Sequence, residues 1–297
     1  MGIIEHFWLA PYAAILRNVC THVALDLHNI ESVLHRRCAA VSEGLVKVGH
    51  SRFAAASRRL ETAFLPDFPV ILATSEEDAA LVRPLAPRSH VAVYPNSFPL
   101  VDIPCQTEEP IVAFSANFEY HPNIDAVQFL MRDIWPEVRR RHPELKLRLI
   151  GRGDGAVRHL LPDNSAKSGV ESTGPVPDAL VEIARACVVL APLRAGSGTR
   201  VKILEAWAAA RPVIATPLAA EGLEARDGQN ILLAPDGPSF VAALDRLLGS
   251  PSDRLRIGSA GRHIFEESYS WNSAWAALDA DPQLMRNFGL KRYTGNF

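Results

Sequence analysis

The segment Ala195-Gly196-Ser197-Gly198-Thr199-Arg200-Val201-Lys202-Ile203-Leu204-Glu205-Ala206 gathers the residue types that bind phosphate. Glycines let a backbone come close to a ligand. The segment reads as a loop opening a helix, and the free N–H groups and positive dipole end of a helix attract anions. Arg200 and Lys202 fall in the first turn of that helix. Lys202 and Glu205 are spaced to share one helix face. A phosphate beside a carboxylate that accepts hydrogen bonds from hydroxyls describes a site for the sugar and diphosphate of a nucleotide. The same residues also suit an N-capped turn followed by a solvated face, and short motifs alone do not separate the two.

Other candidates lie at the ends of apolar runs. Gly151-Arg152-Gly153-Asp154-Gly155 follows Leu145–Ile150, but its spacing is not the GxGxxG fingerprint of a dinucleotide site. It reads as a strand-to-helix turn or a nucleotide-contacting loop. Arg194, after Ala191-Pro192-Leu193, suits either bidentate pairing with a phosphate or the surface. His28 in Asp26-Leu27-His28-Asn29-Ile30-Glu31 suits a hydrogen bond to a substrate hydroxyl or a cap for the next helix. No Walker sequence, HExxH or GxSxG elbow is present. The pairs Glu76-Glu77 and Glu266-Glu267 read as helix faces rather than acid–base dyads.

These residues need a scaffold, and the apolar pattern supplies one. Val23–Leu27, Val70–Ala73, Val91–Tyr94, Ile111–Phe114, Leu145–Ile150, Val188–Ala191, Val213–Thr216 and Ile231–Leu233 read as strands. Helical patterns separate them: from Glu31, over Phe53–Phe64, after the capping box Ser75-Glu76-Glu77-Asp78, and over Asn123–Arg141, Ala179–Arg185, Val201–Ala210 and Ser239–Leu248. Alternating β and α segments with wholly apolar strands predict parallel sheets covered on both faces. Ligands of such sheets sit at the carboxyl ends of strands, where the Ser115–His121, Gly151, Gly196 and Thr216 segments fall. Pro99–Pro110 is proline-rich, acidic and aperiodic, which predicts a linker.

Composition narrows the class. The chain has 297 residues, 48% of them hydrophobic, enough for about two domains with sizeable cores. A net charge of −2 without a basic tail argues against general nucleic-acid binding. Cys20, Cys38, Cys105 and Cys187 lack zinc-site spacing, and wide spacing in a long chain fits reduced thiols in the cytoplasm. No apolar run reaches the length of a membrane span. Met1–Leu16 does not read as a signal peptide; it suits ordinary packing or an amphipathic helix at a membrane or partner.

The order of these motifs resembles group 1 glycosyltransferases, the family-4-like retaining enzymes of the GT-B fold. It is similar in particular to a bacterial branch whose donor loop reads GSGTR-x-KILEA. The matching segments run from Asp26–Ser32 through Thr74–Asp78, Tyr94–Asn96, Phe114–Asn117, Pro122-Asn123, Ile150–Gly153, Ala191–Arg194, Gly196–Ala206 and Arg211–Thr216 to Glu221–Leu223. The resemblance implies two Rossmann-like domains with parallel sheets. Residues 1–99 would form the acceptor domain, 100–110 a linker, 111–270 the donor domain and 271–297 a crossover helix. The donor is implied to be a UDP- or GDP-linked hexose, with no further cofactor and no metal. Asn117, Gly151, Arg152, Arg194, Gly196, Ser197, Gly198, Thr199, Val201 and Glu205 would bind it. Glu205 would meet the ribose hydroxyls and the Thr199–Val201 backbone the diphosphate. His28, Arg200 and Lys202 are the implied catalytic residues.

The chain departs from the family in four places. The first glutamate of the Glu-x7-Glu motif falls at Ser197, a loss the branch shares. The Arg/Lys pair after the first donor-domain strand is replaced by Asn117-Phe118-Glu119-Tyr120-His121. Ala210 stands where a glycine would end the helix. His28 is reached almost at once, so the first domain is expected to be incomplete, with about three strands, a free edge and an apolar face that a second copy or a partner chain would complete. The acceptor is expected to be a glycan, a lipid-linked hydroxyl or a small molecule, with the protein in the cytoplasm or at the inner face of the membrane. A non-catalytic nucleotide-sugar-binding module and a sugar-nucleotide epimerase are the alternatives, the latter disfavoured because no acid–base carboxylates stand in the motifs.

Overall fold

Val70–Ala73 and Ala186–Ala191 are apolar at every position and buried at every position, the pattern of strands covered on both faces. In the computed structural model such strands build two parallel sheets. The structure describes residues 2–100, 102, 107–163 and 165–288. Two compact units result. The first holds the chain through Ser97, the short loop Gly196–Thr199 and the helices from Trp271 onward; the second holds Phe98–Ala195 and Arg200–Ser270.

The first unit has four parallel strands in chain order: β1 (Gly2–Glu5), β2 (Val23–Leu27), β3 (Val70–Ala73) and β4 (His90–Val93). The expected count of about three misses β1, whose four residues are too few to show a period against the apolar stretch that follows. No strand pairs with the outer edge of β1 among the described residues. Ile3, Leu9, Tyr12 and Ile15 stand exposed beside it, so the expected free edge and apolar face are present. Helices Glu31–Val41 and Gly44–Phe64 form a hairpin whose first arm joins the core of this sheet through Val33. The second of these begins well before the predicted Phe53. Leu284 packs with Ala24, Val70, Leu72 and Ala92, and Asp281 pairs with His90 at 2.8 Å, which fastens the C-terminal helices to the unit.

The second unit has six parallel strands: β5 (Glu109–Ser115), β6 (Lys146–Ile150), β7 (Val170–Ser172), β8 (Ala186–Ala191), β9 (Val213–Ala215) and β10 (Leu232–Leu233). Their order is β10-β9-β8-β5-β6-β7. The direction of winding therefore reverses between β5 and β8, which leaves a crevice at their carboxyl ends. Phe114, Phe118, Trp207, Phe240 and Phe265 are fully buried in this unit.

The predicted linker is partly built into this second unit. Glu108 pairs with Arg211 and Arg254 at 3.3 and 2.6 Å, and β5 starts at Glu109. Residues 101 and 103–106, with Cys105, lie outside the described residues, as do 289–297 of the C-terminal segment. The Asn123–Arg141 pattern is not one uniform helix. A wider turn at Leu130–Ile134 precedes Trp135–Arg141, because Pro136 has no N–H and its ring would strike the carbonyl one turn back.

The helix opened by the glycine loop runs over Val201–Ala208 and closes through Ala210 at φ +52°. The Ala210 N–H donates to Trp207 O at 2.9 Å and the Arg211 N–H to Ala206 O at 2.9 Å, the paired bonds of a left-handed helix end. Left-handed geometry costs an alanine about 1 kcal/mol that glycine avoids. Ala210→Gly should therefore raise stability by about 0.5–1 kcal/mol, read as an increase in Tm; an unchanged or lower Tm would contradict the strain.

Candidate functional site

In the second unit, the carboxyl ends of β5 and β8 gather a set of polar side chains on an apolar floor. Ser115 closes β5, and its hydroxyl donates to Glu205 Oε2 at 3.3 Å. Glu205 sits one turn along the Val201–Ala208 helix from Lys202. Burial raises the Glu205 carboxyl; Lys202 and the Ser115 bond oppose this. The Lys202 ammonium lies 5.1 Å above the Phe114 ring and donates to Asn123 Oδ1 at 2.8 Å. Burial, then the neighbouring Arg200 charge, draws it down to about 7, with Glu205 opposing. Arg200 is buried and caps the helix by position, its carbonyl accepting from the Ile203 N–H at 2.9 Å. Val201 is exposed at the first helical position.

Asn123 is a residue that the sequence reading left without a role. It is 6% exposed and uses both ends of its amide. Its oxygen takes the Lys202 bond, and its Nδ2 donates to Asn117 O at 2.8 Å. The cation and the β5 loop are thereby set by one side chain. Asn117 is committed to the same loop, its Oδ1 accepting from the Glu119 N–H at 3.1 Å. A sequence signal existed: an asparagine directly after Pro122 in a helix's first turn is well placed to bond outside the helix.

The β6 loop is locked to the β5 loop. The Phe118 N–H donates to Arg152 O and the Ala116 N–H to Ile150 O, both at 2.9 Å. Gly151 has φ +132°, and a Cβ there would fall 2.0 Å from Ala116 O. The Arg152 side chain is exposed, and no ion pair is seen for it among the described residues. Arg194 already has a carboxylate partner. It forks onto Asp125 at 2.6 and 3.0 Å, above the Phe129 ring at 4.8 Å, and its charge is thereby paired within the unit.

His28, Gly196, Ser197, Gly198 and Thr199 fall in the first unit. Ser197 Oγ accepts from the Ile30 N–H at 3.1 Å, and Gly196 O accepts from Arg37 at 3.0 Å. Gly198 has φ +73°, and a Cβ would lie 2.3 Å from His28 O, so only glycine fits there. Thr199 Oγ1 is buried without a hydrogen-bond partner among the described residues. The His28 ring stacks on His6 at 4.1 Å, and its Nε2 is likewise buried and unbonded there. Burial raises the nearby Asp26 carboxyl, His28 opposes, and Glu5 adds to the rise. Ser197 and the two glycines thus shape the loop, while Thr199 and His28 keep unspent hydrogen-bonding atoms.

Residues 109–250 match the family model described as glycosyl transferases group 1. The chain is 32% identical over 132 residues to an exopolysaccharide phosphotransferase of Streptomyces coelicolor, a match covering 43% of this chain and 14% of that protein. Among solved structures it resembles a sucrose-phosphate synthase of Thermosynechococcus elongatus (18% identity, TM-score 0.74), covering 97% of this chain and 73% of that one. It also resembles S. aureus TarM, in a variant solved with fondaparinux, α-GlcNAc-glycerol and UDP (13% identity, TM-score 0.71; 95% and 54% covered). A third likeness is Anabaena HepE with UDP and glucose (16% identity, TM-score 0.65; 92% and 75% covered). The α/β architecture with two parallel sheets is that of these GT-B glycosyltransferase neighbours. The chain spans a small part of the curated relative and between half and three quarters of the structural ones.

The glycine at 151 tests the loop geometry. Gly151→Ala must both adopt a positive φ and displace a backbone carbonyl, at a cost of about 2–4 kcal/mol. A matching fall in Tm is expected; a variant that melts with the parent would show the β5–β6 loop contact to be loose.

Proposed function

We propose that the chain binds a nucleoside diphosphate sugar, UDP- or GDP-linked, and transfers the hexosyl group to an acceptor hydroxyl with retention of configuration. One observation carries the proposal. At the reversal of a doubly wound sheet, a helix opens with Arg200 and Lys202 and presents Glu205 one turn later. A helix N-terminus flanked by cations suits a diphosphate. A carboxylate one turn further suits ribose hydroxyls. The family match over this unit and the UDP in two of the neighbouring structures support the same chemistry.

The step needs no protein nucleophile. The bond from the anomeric carbon to the diphosphate oxygen breaks, and the acceptor oxygen bonds the same face of that carbon. The acceptor proton passes to the departing diphosphate oxygen. Catalysis then rests on holding the reactants and on stabilising charge as it develops on the diphosphate. Arg200 and Lys202 supply that charge, so no metal is required. His28 contributes a sugar hydroxyl contact, a role that rests on the resemblance. The acceptor is a glycan, a lipid-linked hydroxyl or a small molecule. No helix among the described residues is long and apolar enough to cross a membrane.

Calorimetry with UDP and GDP tests the binding half. A fixed Arg200 charge and a Lys202 that titrates near 7 set the pH profile. A bound diphosphate favours the ammonium, so binding takes up a proton above that pH. Affinity should fall by up to about tenfold per unit as the pH rises above 7, a loss separate from the one below about pH 6, where the nucleotide's own terminal phosphate takes up a proton. Lys202→Arg should flatten the profile. Arg200→Ala and Lys202→Ala should each lower turnover by about 10²-fold or more. Near-normal rates in both would refute the role, and binding without any transfer would favour a non-catalytic module.

A further inference from the structure

The longest helix among the described residues, Gly44–Phe64, turns a mixed apolar and cationic surface outward. Its inner face is narrow: Ser57 and Glu61 are its only buried residues, and Glu61 accepts from the Ser32 N–H and hydroxyl at 2.9 and 2.5 Å. Leu45 is 89% exposed, Phe53 58%, Val46 53%, Val48 46% and Leu60 39%. At about 100° per residue, Leu45, Phe53, Ala56 and Leu60 fall in one lane. Arg52 and Arg59, each one residue before a lane member, line its flank. Lys47 and Arg58 lie further round and are also exposed. No ion pair is seen for any of these four cations among the described residues, whereas Arg83, Arg140, Arg141, Arg148 and Arg211 elsewhere all face carboxylates. The one carboxylate within the helix, Glu61, is its buried one. The turn Phe7–Tyr12 packs against this helix and adds exposed Trp8, Leu9 and Tyr12.

We infer that this helix is a peripheral docking surface for a bilayer carrying anionic lipids. Lane residues need an apolar phase, and the flanking cations need anions at its boundary; a lipid interface provides both at one depth. Charge also disfavours a second copy as the occupant. Two-fold pairing through the lane would bring Arg52 and Arg59 of each chain against their like in the other. With a net charge of −2 over the whole chain, the attraction belongs to this face and not to the protein at large. The inference does not depend on the donor site and stands or falls separately from it.

Co-sedimentation of the full chain with vesicles tests it. Binding is expected to vesicles of equimolar phosphatidylcholine and phosphatidylglycerol, and not to pure phosphatidylcholine; raised salt should weaken it. Arg52→Gln with Arg59→Gln should lower partitioning by about 25-fold, roughly fivefold per charge. Leu45→Ser with Phe53→Ser should abolish it. The two arginines and Leu45 are exposed, so Arg52→Gln with Arg59→Gln, and Leu45→Ser alone, should melt with the parent, whereas Phe53→Ser also gives up a stack on His35 at 5.2 Å. No binding to the anionic vesicles, equal binding to both vesicle types, or a dimer in light scattering that Phe53→Ser dissolves would each overturn the inference.

Discussion

Withdrawing Lys202 and Glu205 from water is the constraint around which the second unit is arranged. Either charge alone would be costly in that position. Each is instead held by the other and by one neutral partner, Asn123 for the cation and Ser115 for the carboxylate. The compensation is incomplete, which is why Lys202 falls to about 7 while Glu205 rises. A site balanced in this way accepts added negative charge readily. On the proposed reading, an arriving diphosphate draws Lys202 from Asn123 and restores its full charge.

The sheet explains why these four residues meet. Ser115 ends β5 and Asn123 starts the helix after it; Lys202 and Glu205 ride the helix after β8. The strands are neighbours in space because the winding reverses there, although many residues separate them in the chain. Gly151 then allows the β6 loop to lie against Ala116, so the β5 loop is supported from a second side. The first unit follows the same logic in smaller form. Gly198 lets the Gly196–Thr199 loop approach the His28 carbonyl, where a side chain would collide.

Much of this was legible in the residues. Apolar runs such as Ala186–Ala191 and Val70–Ala73 announce strands covered on both faces, and Ser75 caps its helix as its spacing predicts. The glycine loop and its two cations marked the helix start. What was not legible depended on partners distant in sequence. Nothing near Arg194 in the sequence announces its partner Asp125, 69 positions away. Asn123 looks like a helix-start residue until its amide is found bridging Lys202 and Asn117. β1 was hidden because its four residues run into the apolar Phe7–Tyr12 turn. Gly44–Phe64 was read too short because its first turns carry exposed Leu45, Val46 and Val48 where a buried stripe was sought.

A crystal structure of the chain with UDP bears most directly on the central claim. The account places the diphosphate oxygens on the opening amides of the Val201–Ala208 helix, with Arg200 and Lys202 closing on them and the ribose hydroxyls on Glu205. A nucleotide bound elsewhere, or Lys202 still seated on Asn123 with Glu205 untouched, would contradict it.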